Sequence, residues 1–299
     1  GGLATFVSAA TLVDGLGEVR RYTRDDPELG AAALGLGALG VLTDVTVRCV
    51  PAFRLHADER PMPLDRVTSE FDAMAEANDH FEFYWFPRAD RALVKRNNRA
   101  ESGEPLSRLR RWLDDEFLSN RVFAAACGLA RAVPATVPAV TWVSSRALSA
   151  RTYVDQSHGV FCTPRRVRFV EMEYAVPRAA FAEVFAGLRR AADRRAVVFP
   201  VEVRTAAADE LWLSTSHGRD SVYFGVHQYV GMPFQEFFDE VEAVMLDHGG
   251  RPHWGKLHSR TAADLAGDYP RFGDFTALRD RLDPGRVFAN DYLRRVLGE

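Results

Sequence analysis

Glu202 and Arg204 stand two residues apart in the segment Val197–Arg204, VVFPVEVR. The run is short, apolar and rich in β-branched residues, which predicts a buried strand. On a strand, residues i and i+2 share a face, so the carboxylate and the guanidinium emerge side by side. Such a couple is either a plain ion pair or a grip for a polar, uncharged ligand. Two further groups have similar character. His227 and Tyr229 share one strand face in His227–Gln228–Tyr229, and His253–Trp254–Gly255–Lys256 follows a double glycine. Each alone also has a bland reading: a salt bridge, a satisfied polar group, a solvated amine.

The parts of several other chemistries are missing. There is no H-E-x-x-H and no paired His/Cys spacing, so no metal is expected. There is no G-x-S-x-G elbow and no phosphate loop ending in Lys-Ser/Thr. Gly35, Gly37 and Gly40 do spell G-x-G-x-x-G, but the order here is helix, glycines, strand. A dinucleotide fingerprint needs strand, glycines, helix. The glycines let backbone approach a flat cofactor or a neighbouring strand. What remains is two cations, an acid and an imidazole. That set suits holding a sugar-like ligand and stabilising negative charge beside an organic cofactor.

The chain has 299 residues, 47% hydrophobic and 26% charged, with net charge −3. That allows one or two cores. No basic tract implies a nucleic acid or an anionic membrane. Three scattered cysteines, Cys49, Cys127 and Cys162, read as reduced thiols of a cytoplasmic protein. The most apolar run, Val122–Ala130, is far shorter than the ~20 residues of a spanning helix. The chain opens on Gly1–Gly2–Leu3 without an initiator Met, so it is expected to begin inside a domain.

Strands are expected over 3–13, 18–22 and 41–50, with a helix start at Asp26–Pro27–Glu28. A domain boundary is placed in the Pro51–Pro63 connector. An amphipathic helix over 64–77 and a hairpin over 80–99 follow. Residues 106–133 read as helical, with Leu109, Trp112, Leu113 and Phe117 as a core-packing stripe. Then come strand 167–176, a helix opened by Pro177, strands 197–204 and 221–230, a helix opened by Pro233, and a last strand in Arg251–Lys256. This β-α-β-β-α order is a ferredoxin-like, split βαβ signature. The fold class is therefore α+β: an antiparallel sheet with helices on one side.

Several longer motifs, taken together, carry a resemblance: GGLATFV at the start, GLGALGV at 35–41, EMEYAVP at 171–177, VEVRT at 201–205, HQY at 227–229, RPHWGK at 251–256 and DPGRVFANDYL at 283–293. The chain resembles the C-terminal two-thirds of the FAD-linked sugar-lactone oxidoreductases of the vanillyl-alcohol-oxidase type. That resemblance implies oxidation of an aldono-1,4-lactone of the L-gulono- or D-arabinono-lactone type. The electrons would pass to oxygen or to a cytochrome- or quinone-type acceptor. It also implies part of an FAD-binding domain in 1–50, a substrate (cap) domain in 51–258, and a segment packing back on the flavin domain in 259–299. Glu202 and Arg204 are similar to the family's substrate-holding pair, Lys256 to its residue at the flavin ring, and His227 to a further substrate-site residue. These carry the catalytic (Glu202, Arg204, Lys256) and substrate-binding (the same three with His227) expectations. Gly2, Leu3, Ala4, Gly40, Val41, His253 and Lys256 are the expected cofactor contacts. The family's N-terminal flavin half is not in this stretch, which leaves two other readings: a folded cap fragment without FAD, and an alditol oxidase. The implied setting is cytoplasmic or peripheral to a membrane.

Overall fold

Residues 2–299 are described by a computed structural model. Near the N-terminus, β1 (Val7–Val13), β2 (Val19–Thr23) and β3 (Val41–Val47) form a sheet of order β2-β1-β3. One core joins this sheet to the C-terminal helices Phe272–Leu282 and Asp291–Leu297, with Leu12, Leu39, Phe275 and Val296 buried in it. Trp212, Leu213 and Trp254 pack into the same core. The segment 211–214 thus forms turns that plug this core.

The larger sheet has eight antiparallel strands. They are β4 (Arg54–Pro63), β5 (His80–Trp85), β6 (Arg91–Ala100), β7 (Arg151–Gln156), β8 (Phe169–Pro177), β9 (Val201–Ala206), β10 (Ser221–Tyr229) and β11 (Arg251–Pro252). Their order is β11-β8-β10-β9-β5-β6-β4-β7. Strands β8 to β11 alternate with helices Phe181–Arg194 and Gln235–Asp247 as a complete ferredoxin-like unit. Strands β4 to β7 repeat the same strand order in reverse, and β5 and β9 join the two halves. Alternation along each strand divides the sheet into two faces. One buries Phe83, Trp85, Tyr174, Val203, Phe224 and Val226 with Phe181, Leu188 and Phe237 of the helices. The other face carries the polar residues.

Several expected elements differ from what forms. The expected Pro51–Pro63 connector is mostly strand, because Arg54–Pro63 pairs with a neighbouring strand on each side. Leu3–Phe6 of the expected first strand is a 3-10 turn, and the last strand stops at Pro252. The strand carrying Glu202 and Arg204 begins at Val201, not Val197, although Val197 and Val198 are fully buried. Pro200 has no N–H for a ladder. The carbonyls of this stretch are taken by side chains of β10 instead: Gln228 donates to Ala196 O (2.9 Å) and His227 to Pro200 O (3.1 Å). The expected helix over 106–133 is α-helical at Arg108–Arg111 and Phe123–Ala132 but a π-helix between, at Trp112–Val122. That wider winding changes which side chains face inward. The stripe is not core: Leu109 is 74% and Trp112 48% exposed, and Trp112 and Phe117 stack on each other at 5.7 Å. Asn120 is buried in their place. No helix among the described residues is long and apolar enough to cross a membrane.

Candidate functional site

The polar face is assembled by register. In the β8–β10–β9 ladder, Gly225 of β10 lies opposite Glu173 on one side and Glu202 on the other, and His227 lies opposite Glu171. On the far side of β9, Glu82 of β5 lies opposite Arg204 and Tyr84 opposite Glu202. Directly opposed residues share a face, so seven polar side chains from four strands meet there.

Arg204 and Glu202 do not form a close pair with each other: Nη1 and Oε1 are 3.9 Å apart. The close partner of Arg204 is Glu173, at 2.5 Å. Glu173 is buried, whereas the Arg204 side chain is 45% exposed. Burial works against the charge of Arg204, but the facing carboxylates of Glu173 and Glu202 outweigh it and hold the guanidinium protonated. Its planar group also lies 5.6 Å from the Tyr223 ring centre. The Tyr223 hydroxyl is bonded to Thr215 (2.5 Å) and Ser216 (2.9 Å). The guanidinium is thus anchored from below and from the side, with its remaining donors turned outward.

Lys256 reaches the face through a turn stapled to the edge of β8. His253 N donates to Glu173 O (2.9 Å) and Leu257 N to Glu171 O (3.0 Å), and Lys256 N closes the turn on His253 O (3.0 Å). The Lys256 amine bonds Glu171 Oε2, while His227 Nε2 lies 3.3 Å from Glu171 Oε1. Burial alone would raise the Glu171 carboxyl; the bonds from His227 and Lys256 outweigh it and bring it down to about 2. Phe169 stands edge-on to the His227 ring at 4.9 Å. Beside this cluster opens a cleft of about 610 Å³ lined by Phe169, Glu171, Trp254, Gly255, Lys256, Leu257 and Tyr292.

A depressed carboxyl favours the fold in full while the unfolded chain is also ionised, and progressively less as pH falls between the unfolded and folded values. The contribution of Glu171 is therefore complete above its ordinary value of 4.5 and is lost as pH falls toward about 2. Thermal melts of the native protein and Glu171→Gln should differ most above pH ~5 and converge in acid. A gap that does not change with pH would show that the cluster is not held by that charge.

Among the residues singled out from sequence, Glu202, Arg204, His227 and Lys256 meet on one face. His253 belongs to the same turn, but its Nδ1 accepts from Gly255 N (3.1 Å) and its side chain does not line the cleft. Gly2, Leu3, Ala4, Gly40 and Val41 are not in that lining either. At Gly40, φ is +152° and a Cβ would come within 2.5 Å of Val13 O, so here the glycine serves the approach of β1. Glu171 and Glu173 were missed as site residues. Their signal was in plain sight: EMEY has the same i, i+2 spacing as Glu202 and Arg204.

Residues 45–296 match the family model described as ALO, D-arabinono-1,4-lactone oxidase. The chain belongs to the D-arabinono-1,4-lactone oxidase family. It is 42% identical over 299 residues to the L-gulono-1,4-lactone dehydrogenase of Mycobacterium tuberculosis, covering 99% of this chain and 69% of that one. It is 31% identical to the L-gulonolactone oxidase of Scyliorhinus torazame, covering 98% and 69%. Its fold is similar to that of cholesterol oxidase from B. sterolicum, with a TM-score of 0.78 at 19% identity over 99% of this chain and 70% of that one. Members of the D-arabinono-1,4-lactone oxidase family are oxidoreductases, and the polar face lies within the matched residues.

Proposed function

We propose that this chain carries the substrate-holding face of an FAD-dependent enzyme that oxidises a CH–OH group of a sugar-derived aldono-1,4-lactone. The lactone is of the L-gulono- or D-arabinono-lactone type. The observation that supports this reading most is Arg204. It is a half-open guanidinium anchored on a buried glutamate, one strand from Gly225 and close to a cleft with its own fixed cation. The open donors lie on the same face as Glu202 and His227, where a ligand can reach all three.

FAD is the cofactor. The donor set of the cleft fits the edge of a flat, electron-accepting ring. Trp254, Leu257, Phe169 and Tyr292 offer apolar and aromatic wall, and Lys256 is a cation that needs no reorganisation because Glu171 already fixes it. When bound, FAD supplies the hydride acceptor for the substrate carbon beside the lactone carbonyl. The chain's own groups do the rest. Arg204 binds a substrate oxygen and stabilises charge on it as the C–H bond weakens. Glu202 accepts a hydrogen bond from the hydroxyl being oxidised and takes its proton as the hydride leaves the carbon. His227, fixed at Nδ1 by Pro200 O, presents its ring edge beside Gly225. Lys256 offsets negative charge at the ring. The product ketone enolises without further help from the protein. Electrons leave to oxygen or to a cytochrome- or quinone-type acceptor, in the cytoplasm or at a membrane surface.

The test is anaerobic visible absorption of the FAD-loaded protein. Aldonolactone should bleach the flavin bands and an alditol should do so far more weakly. Bleaching by the alditol alone would move the assignment to open-chain polyols, and bleaching by neither would refute the reading.

A further inference from the structure

Beyond Glu202 the polar face continues onto β5 and β6. Tyr84 stands opposite Glu202, and Glu82 of the same strand is paired with Lys95 of β6 at 3.3 Å. Above them lies Arg165, whose Nη2 donates to Tyr84 Oη at 3.1 Å. Burial opposes the charge of Arg165, and the Tyr84 phenol and Glu202 outweigh it. Its nearest carboxylate is Glu202, at 3.9 Å. A guanidinium has five donors. Among the described residues only one short bond from Arg165 is seen, and its side chain is 55% exposed.

Arg165 is nevertheless fixed at its base. Asn120, buried in the π-helix, donates to Pro164 O (2.9 Å) and accepts from Arg166 N (2.7 Å), and Arg166 pairs with Glu116 of the same helix at 3.0 Å. The segment is thus clamped on both sides of Arg165, which leaves its side chain reaching over the sheet between β9 and β5. This gives the wide helix a task that its sequence did not disclose: it sets the position of one cation on the polar face.

We propose that Tyr84 and Arg165, backed by Glu82, form a second subsite that binds the exocyclic tail of the lactone and selects six-carbon over five-carbon substrates. The inference rests on the lactone reading above. In this proposal the ring lies over Glu202 and Arg204 with its tail turned toward β5, the side where Arg165 has open donors. One strand spacing, about 5 Å, then brings the exocyclic carbons to Tyr84. A two-carbon glycol tail has two hydroxyls, each a donor and an acceptor. Arg165 supplies free donors. The Tyr84 oxygen accepts from Arg165, and its hydroxyl points to Glu82 at 3.4 Å, a long bond that a ligand hydroxyl can replace at either end. A one-carbon tail ends short of this group.

The experiment compares a six-carbon aldono-1,4-lactone with a five-carbon lactone of the same ring configuration, using the FAD-loaded protein and its Arg165→Ala and Tyr84→Phe variants. Each variant should raise KM for the six-carbon lactone by about tenfold, the size of one hydrogen bond to a charged or well-placed group. KM for the five-carbon lactone should rise several-fold less than KM for the six-carbon one, so the ratio of the two kcat/KM values should fall by about fivefold or more. In melting experiments, the extra stabilisation that the six-carbon lactone gives the unsubstituted protein should vanish in both variants. Equal changes for the two lactones, or no change for either, would overturn the subsite while leaving lactone oxidation intact. Turnover of neither lactone by the unsubstituted protein would overturn both readings.

Discussion

Replacing Arg204 with lysine is expected to lower kcat/KM for aldonolactone by at least about 100-fold, even though the positive charge is kept. The planar group does three things an ammonium cannot do together. It pairs with Glu173 at 2.5 Å, lies against the Tyr223 ring at 5.6 Å, and still presents donors outward. A lysine amine drawn to the buried Glu173 carboxylate would satisfy that charge and retreat from the ligand. The fold should hardly notice, because Glu173 keeps a cationic partner and the pair is not sealed from water. Rapid-mixing flavin reduction with Arg204→Lys measures this directly. An unchanged reduction rate would remove Arg204 from the reacting end of the substrate.

Gly225→Ala should have an effect of similar size by a purely steric route. Gly225 is the one position on the face without a side chain, flanked by Glu173 and Glu202. It is not among the glycines with positive φ, so alanine meets no backbone strain. A Cβ there would make ordinary contacts, 3.4 Å to His227 Cε1 and 3.6 Å to Glu202 Cβ. In a strand, alanine should even stabilise the protein, by about 0.5–1 kcal/mol. Yet the added methyl fills the hollow over which the proposed site would seat the ligand. Displacing a substrate by about 1 Å costs on the order of 100-fold in rate. The expected pairing is therefore a Tm that is equal or higher and a kcat/KM about 100-fold lower. Normal kinetics in Gly225→Ala would mean that the ligand sits elsewhere on the sheet.

The two predictions turn on residues of unequal visibility in the sequence. Glu202 and Arg204 could be read because they sit on one strand, where the period of two fixes their shared face. The ferredoxin-like unit could be read because its strands and helices alternate with clean periodicity. Glu173 could not be assigned to Arg204, because their strands are separated by β10, which comes later in the chain than both. Only the interleaved strand order brings them together. The same interleaving explains why His227 meets Glu171 and why Gly225 falls between two acids. The segment Val197–Pro200 misled for the opposite reason. Its burial was correctly foreseen, but side chains of the neighbouring strand took the carbonyl bonds that a ladder would have used. The helix over 106–133 misled through winding: an α-helical period was assumed where the backbone turns more widely, so a stripe expected to be buried is open to solvent.

The join between the two halves of the large sheet is an uninterrupted backbone ladder running from Glu82–Arg204 to Trp85–Val201. Such a seam resists sliding and has no hinge, so the halves cannot behave as jaws that shut on a captured molecule. The width of the polar trough is set in advance by strand separation. A sugar ring that is too broad, or puckered the wrong way, is turned away at first contact. Rigid shape would then act on the ring alongside the polar contacts proposed for the tail, and changes that loosen β5 from β9 should broaden the range of accepted sugars before they cost the fold.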